Sequence, residues 1–130
     1  MRVIVKKPDQ PPTVEDIATG LESSQAVVGG LIDVVSLAEG LDLVVNDEGA
    51  IRAMPLNLLI AGEVEPIPIC GAVFFVGVDE EGTFHGLTDE QVETISRLWV
   101  AVPGVPVPVL RLPSHVDADA RVNVPTTGNA

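Results

Sequence analysis

Cys70 is the single cysteine of the chain, and His85 and His115 are its only histidines. Nucleophilic catalysis needs a nucleophile, a base and an orienting group that meet in space. Cys70 sits among apolar residues and glycine (IPICGAV), with no base near it in sequence. It reads as a buried structural thiol, because free cysteine packs as a small hydrophobe. The histidines lack CxxC or HxxxH spacing, so no metal site is expected. The paired acids Asp47-Glu48 and Glu80-Glu81 fall in glycine-containing turns, NDEG and DEEG. Solvated turn residues are the plain reading of these acids, and the ligand spacing of a calcium loop is missing. There is no phosphate-cradling glycine loop, no G-x-S-x-G elbow and no basic–aromatic stripe for nucleic acid. The expectation is a protein that is not an enzyme, with no catalytic residues and no cofactor.

Charge is the stronger signal. The chain has 130 residues and a formal net charge of −12. Residues 1–102 carry all of that imbalance, whereas Asp117 and Asp119 balance Arg111 and Arg121 in the tail. No base lies between Lys7 and Arg52, and none between Arg52 and Arg97. A field of this sign repels nucleic acid and anionic membranes and favours basic partners. Solubility is the plainer use of such a surface. Two sets of candidate binding residues emerge. Asp47, Glu48, Glu80 and Glu81 would present an acidic surface to a basic protein. Arg52, Arg97 and Arg111 would be needed together to hold an anionic small molecule.

The elements that must position these residues are organised around GAVFFVGVDEEGTFHGLTDEQ, residues 71–91. The apolar run from Ala72 to Val78 is short and rich in β-branched and aromatic residues, which predicts a strand buried on both faces. Asp79 to Gly82 supplies turn chemistry, and Thr88-Asp89-Glu90-Gln91 is a capping box that opens a helix. That helix is expected to run to about Val102, with Val92, Ile95, Leu98 and Trp99 on one face. Upstream, Arg2–Lys7 alternates as a first strand and Pro8–Pro12 must turn. Thr13–Gly20 is ambiguous: a capping box favours a helix, whereas Gly20 interrupts it. A short strand over Thr13–Ile17 followed by a helix over Leu21–Val28 is preferred, and either helix ends at Gly29-Gly30. Leu31–Leu37 and Leu41–Asn46 form a hairpin. Ala50–Met54 is expected to return from the second acidic turn, making VVNDEGAI and GVDEEGTF two versions of one hairpin. Pro55–Ile69 reads as a long connection, because Pro66 and Pro68 argue against a central strand.

Hydrophobic content is 46% and mean hydropathy +0.37, so the chain can bury a core of Val, Leu, Ile and Ala, with aromatics at only 3%. No apolar run approaches the roughly 20 residues of a membrane helix, and no signal-peptide cleavage site comes after MRVIVKKPD. A cytoplasmic protein is the economical expectation. The fold class expected is α+β: a mainly antiparallel sheet of hairpins with two helices on one face and a Pro/Val-rich C-terminal tail. Residues 1–102 would be the compact domain. Residues 103–130 would run from polyproline-like (VPGVPVPVLRLP) to disordered.

The order of short motifs resembles a family of small domains of unknown function common in bacteriophages and mobile genetic elements. The resemblance is carried by RVIVKKPDQPP, LESSQAVVGGLIDVVSLAEGLDLVVNDEG, MPLN and CGAVFFVGVDEEGTFHGLTDEQ, and it covers about residues 1–100. Members carry a basic residue after the asparagine of the MPLN element, where Leu58 follows Asn57 here. The resemblance implies an accessory protein, with counter-defence proteins among the possibilities, and it brings no catalytic residues. Two functions are therefore weighed. One is a non-enzymatic accessory protein that engages a basic host protein through its acidic surface. The other is a sequestering protein that holds a small nucleotide ligand, at a subunit interface if the chain is a homo-oligomer. No direct nucleic-acid or membrane partner is expected.

Overall fold

A computed structural model describes residues 1–50, 52–62 and 65–112. In chain order the elements are β1 (Arg2–Lys6), β2 (Thr13–Asp16), α1 (Leu21–Val28), β3 (Ile32–Ala38), β4 (Leu41–Asn46), β5 (Leu56–Ala61), β6 (Ile67–Cys70), β7 (Val73–Val78), β8 (Phe84–His85), α2 (Asp89–Leu98), β9 (Trp99–Val100) and β10 (Val109–Arg111). The class is α+β with mainly antiparallel pairing, as the sequence implies. The strands form two sheets. The larger runs β2-β1-β7-β4-β3 with β8 beside β7, and the smaller runs β6-β5-β10-β9.

The residues at the centre explain the layering. In β7, Phe74 packs with Val3, Val5, Val28 and Val44 on one face of the large sheet. Its neighbour Phe75 packs with Ile4, Leu43, Leu58, Ile95 and Leu110 on the other. Successive strand side chains point oppositely, so α1 covers the first face while α2 and the small sheet cover the second. The helices thus divide between the two faces instead of sharing one as expected, because a strand that is apolar on both sides needs cover on both. Phe75 also meets Trp99 edge-to-face, with ring centroids 6.0 Å apart and planes at 81°.

Local chemistry sets the boundaries. Thr13–Asp16 pairs antiparallel with β1, so the strand-then-helix reading holds, and α1 starts at Leu21. Gly29 ends α1 in the left-handed conformation, φ 79°, its N–H donating to Gln25 O at 2.8 Å. At α2 the Thr88 hydroxyl accepts from Gln91 N while the Gln91 side chain accepts from Thr88 N, a complete capping box. The helix stops at Leu98, short of the expected Val102, because Trp99 turns extended and pairs with Leu110.

Three expectations are corrected. Among the described residues of 50–54 there is no return strand. Arg52 N donates to Glu48 O and Met54 N to Gly49 O, a helix-like turn. β4 lies between β3 and β7, so a strand returning from Asn46 would find no free edge to pair with. The supposed connection Pro55–Ile69 holds β5 and β6. Pro68 is tolerated because β6 is an edge strand, where a missing N–H needs no partner. Finally, the Val-Pro segment does enter a sheet at its end. Val109–Arg111 lies parallel to β5 and antiparallel to β9, as the first stretch past Val102 long enough without proline to form a ladder. The segment expected to be disordered lies largely outside the described residues, as does His115.

Candidate functional site

Register places the four candidate acids at opposite ends of the large sheet. Leu41 is opposite Gly77 and Val44 is opposite Phe74. Asp47 and Glu48 therefore come just after the last residue of β4, beside the start of β7, whereas Glu80 and Glu81 lie beyond the end of β7. At about 3.3 Å per residue the two tips are roughly 20 Å apart. Asp47 and Glu48 share their end with Arg52, whose Nη1 approaches Gly29 O at 3.5 Å.

The other end concentrates charge. The Gly40 carbonyl accepts from Val78 N and from Gln91 Nε2, both at 3.0 Å. These bonds draw the β3–β4 turn, the β7–β8 turn and the start of α2 together. Glu39, Asp79, Glu80, Glu81, Asp89 and Glu90 are all exposed there. Asp79 Oδ1 shapes its turn by accepting from Glu81 N at 2.9 Å and Thr83 N at 2.8 Å. Arg2 reaches in to pair with Asp89 at 2.8 Å while donating to Leu87 O. Sequence reasoning found only two of these six acids. Of the others, Asp79 adjoins that pair, while Glu39, Asp89 and Glu90 come from separate segments that meet through a backbone carbonyl, which no residue pattern announces.

The three arginines are not gathered. Arg97 pairs within α2 with Glu93 at 3.4 Å, Arg52 lies at the end of α1, and Arg111 is exposed on β10. Among the described residues no group of three or more His, Cys, Asp or Glu is poised to hold a metal. Cys70 is half-buried at the end of β6, and the exposed His85 lies over Gly77.

A cleft of about 490 Å³ lies at the end of the large sheet away from the acidic cluster, between the Pro8–Pro12 loop and Pro106–Pro108, with Trp99 in its wall. At its floor Lys6 and Asn57 are 2% and 1% exposed. Lys6 Nζ donates to Asn57 Oδ1 and to Lys7 O, both at 2.8 Å. Asn57 Nδ2 donates to Lys6 O and Gly71 O at 2.8 Å. Asn57 stands at a register shift between Leu56 and Leu58, and such a bulge re-aims a side chain. Burial lowers the Lys6 pKa below the ordinary lysine value, partly offset by Asp9. The signal for Lys6 was its place in β1: it shares a face with Ile4, and that face is covered by the small sheet.

One further buried charge stands alone. Asp42 on β4 makes no side-chain hydrogen bond or ion pair among the described residues, and burial pushes its carboxyl up to about 6. A carboxyl whose folded pKa exceeds its unfolded value of 3.8 binds the proton more tightly when folded. The stability it contributes is fully present below the unfolded value and is lost as pH rises through about 6. Asp42→Asn is therefore expected to stabilise the domain at pH 7 by about 1–3 kcal/mol. It should also flatten the fall in stability between pH 4 and pH 7, measured by urea unfolding across that range. An unchanged slope would contradict the burial argument.

The architecture is a two-sheet α+β domain with one charged end and one polar-floored cleft. It belongs to the family described as a domain of unknown function, DUF3846, whose model matches residues 1–100. No curated protein and no solved structure matches the sequence. The family match ends at β9, so β10, which separates β5 from β9, lies beyond it. No helix among the described residues is long and apolar enough to cross a membrane.

Proposed function

We propose that this chain is a non-enzymatic accessory binding protein of a phage or mobile element, engaging a basic host protein as a counter-defence protein would. The observation that carries the reading is the acidic end, where three separate segments are tied to the Gly40 carbonyl. Exposed carboxylates held on turns and a helix start make a preformed negative surface that steers a basic partner at no ordering cost. The competing reading, a protein that holds a nucleotide on Arg52, Arg97 and Arg111, lacks a shared cleft for those side chains.

The test is capture from host lysate with wild type and charge-reversed protein side by side. Glu39→Lys, Glu80→Lys, Glu81→Lys and Glu90→Lys together should abolish retention of basic proteins and slow association at least tenfold, within the roughly 10–1000-fold range of electrostatic steering. Asp47→Lys with Glu48→Lys, at the far end, should change association less than about twofold, because charges beyond a screening length of about 8 Å count little at physiological salt. Binding should weaken steeply as salt rises. A partner retained by the four-site variant, or bound equally at high salt, would sink the proposal.

A further inference from the structure

We propose that the cleft floored by Lys6 and Asn57 binds a small, uncharged planar ring bearing an amide-type carbonyl, a cyclic amide or imide of nucleobase size. The site lies at the opposite end of the large sheet from the acidic cluster and does not depend on the acidic-surface reading. Its volume of about 490 Å³ falls within the roughly 300–1000 Å³ of small-molecule sites.

The walls favour a flat apolar face. Trp99, Pro11, Pro12, Pro106 and Pro108 line the cleft. Prolines have fixed φ, and the edge-to-face contact with Phe75 sets the Trp99 ring. A ligand entering therefore orders little that is not already ordered, which favours affinity.

The floor favours a carbonyl. An ammonium has three donors, and Lys6 commits two of them, to Lys7 O and Asn57 Oδ1. Asn57 spends both amide protons on Lys6 O and Gly71 O. The third Lys6 proton is the donor left, and a buried donor without a partner is costly. A ring carbonyl satisfies it. Asp9 and Gln10, also in the lining, supply acceptors for a ring N–H. The same Asp9 carboxylate, within a chain of net charge −12, opposes phosphate or carboxylate, while the Lys6 ammonium on the floor opposes a cation, which leaves an uncharged ligand.

Trp99 is the only tryptophan and there is no tyrosine, so intrinsic fluorescence reports on this wall. Titration of the full chain with uracil should give a saturable change in Trp99 emission. Benzene, which has the flat face without the carbonyl, should bind at least tenfold more weakly. Uridine monophosphate, which carries the same ring with a charged ribose phosphate on N1, should also bind more weakly than uracil. Amide and indole NMR shifts on unmutated protein should cluster at Trp99, Asn57 and Gln10, and Lys6→Met, folded by circular dichroism, should lose the response. The proposal is overturned by no saturable change with uracil, by shifts that map elsewhere, or by uridine monophosphate binding more tightly than uracil. None of these outcomes bears on the acidic end, so the two proposals fail separately.

Discussion

Replacing Phe75 with alanine is expected to unfold the domain or leave it barely folded. The ring is fully buried, pairs through its strand with Ile4 and Leu43, and meets Trp99 edge-on. Removing a buried phenylalanine costs about 3–5 kcal/mol through lost transfer energy and the cavity left behind. Domains of this size hold only about 5–15 kcal/mol in total. Phe74→Ala should cost as much, since that ring is equally buried against Val5 and Val44. The two differ in one readout. Phe75→Ala should shift Trp99 fluorescence under folding conditions, whereas Phe74→Ala, on the α1 face, should leave the folded protein's emission unchanged. Urea midpoints measure the cost, and a loss under about 1 kcal/mol at either position would contradict the two-faced burial of β7.

That burial was legible in the sequence because seven residues from Ala72 to Val78 contain no polar side chain. Capping at Thr88 and the Gly29 stop were legible for a similar reason: short-range hydrogen-bond geometry selects those residue types locally. The features that stayed hidden depended on partners distant in sequence. β5 and β10 carry ordinary apolar residues, but their pairing joins residues 59–61 to 109–111 across the whole of β7 and α2. The prolines of Pro55–Ile69 spoke against a central strand, and β6 is indeed at an edge, yet β5 beside it was hidden by the same argument. The acidic tips were seen as turns, but not that one belongs with Glu39 and Glu90 while the other lies at the far end. Lys6 shares the Ile4 face of β1, but nothing near it in sequence announces the sheet that covers that face. Local chemistry was readable, and the meeting of remote segments was not.

Cutting the chain after Val102 tests the least expected part of the fold. The matched family segment ends near this point, and composition alone suggests that the remaining residues are a polyproline-like to disordered tail with no place in a sheet. The structure argues otherwise. Val109 and Leu110 are 4% and 0% exposed and stand between β5 and β9. Leu59 N donates to Pro108 O and Leu112 N to Ala61 O, both at 3.1 Å, so the segment is tied to β5 at either end of β10. Losing two buried aliphatic side chains costs about 1.5–3 kcal/mol each. The ladder bonds add roughly 1 kcal/mol apiece where they leave buried groups unpaired. The sum, about 5 kcal/mol or more, approaches the whole stability of a small domain. A chain ending at Val102 is therefore expected to be unfolded or molten at room temperature, with exposed apolar surface that binds a hydrophobic dye. A chain ending at Leu112 keeps both sheets whole and should melt within a few degrees of the full protein. Leu110→Ala gives the graded version, about 2–5 kcal/mol, in a chain of full length. If the chain ending at Val102 melts like the full protein, β10 contributes nothing to the core and its place between β5 and β9 is wrong.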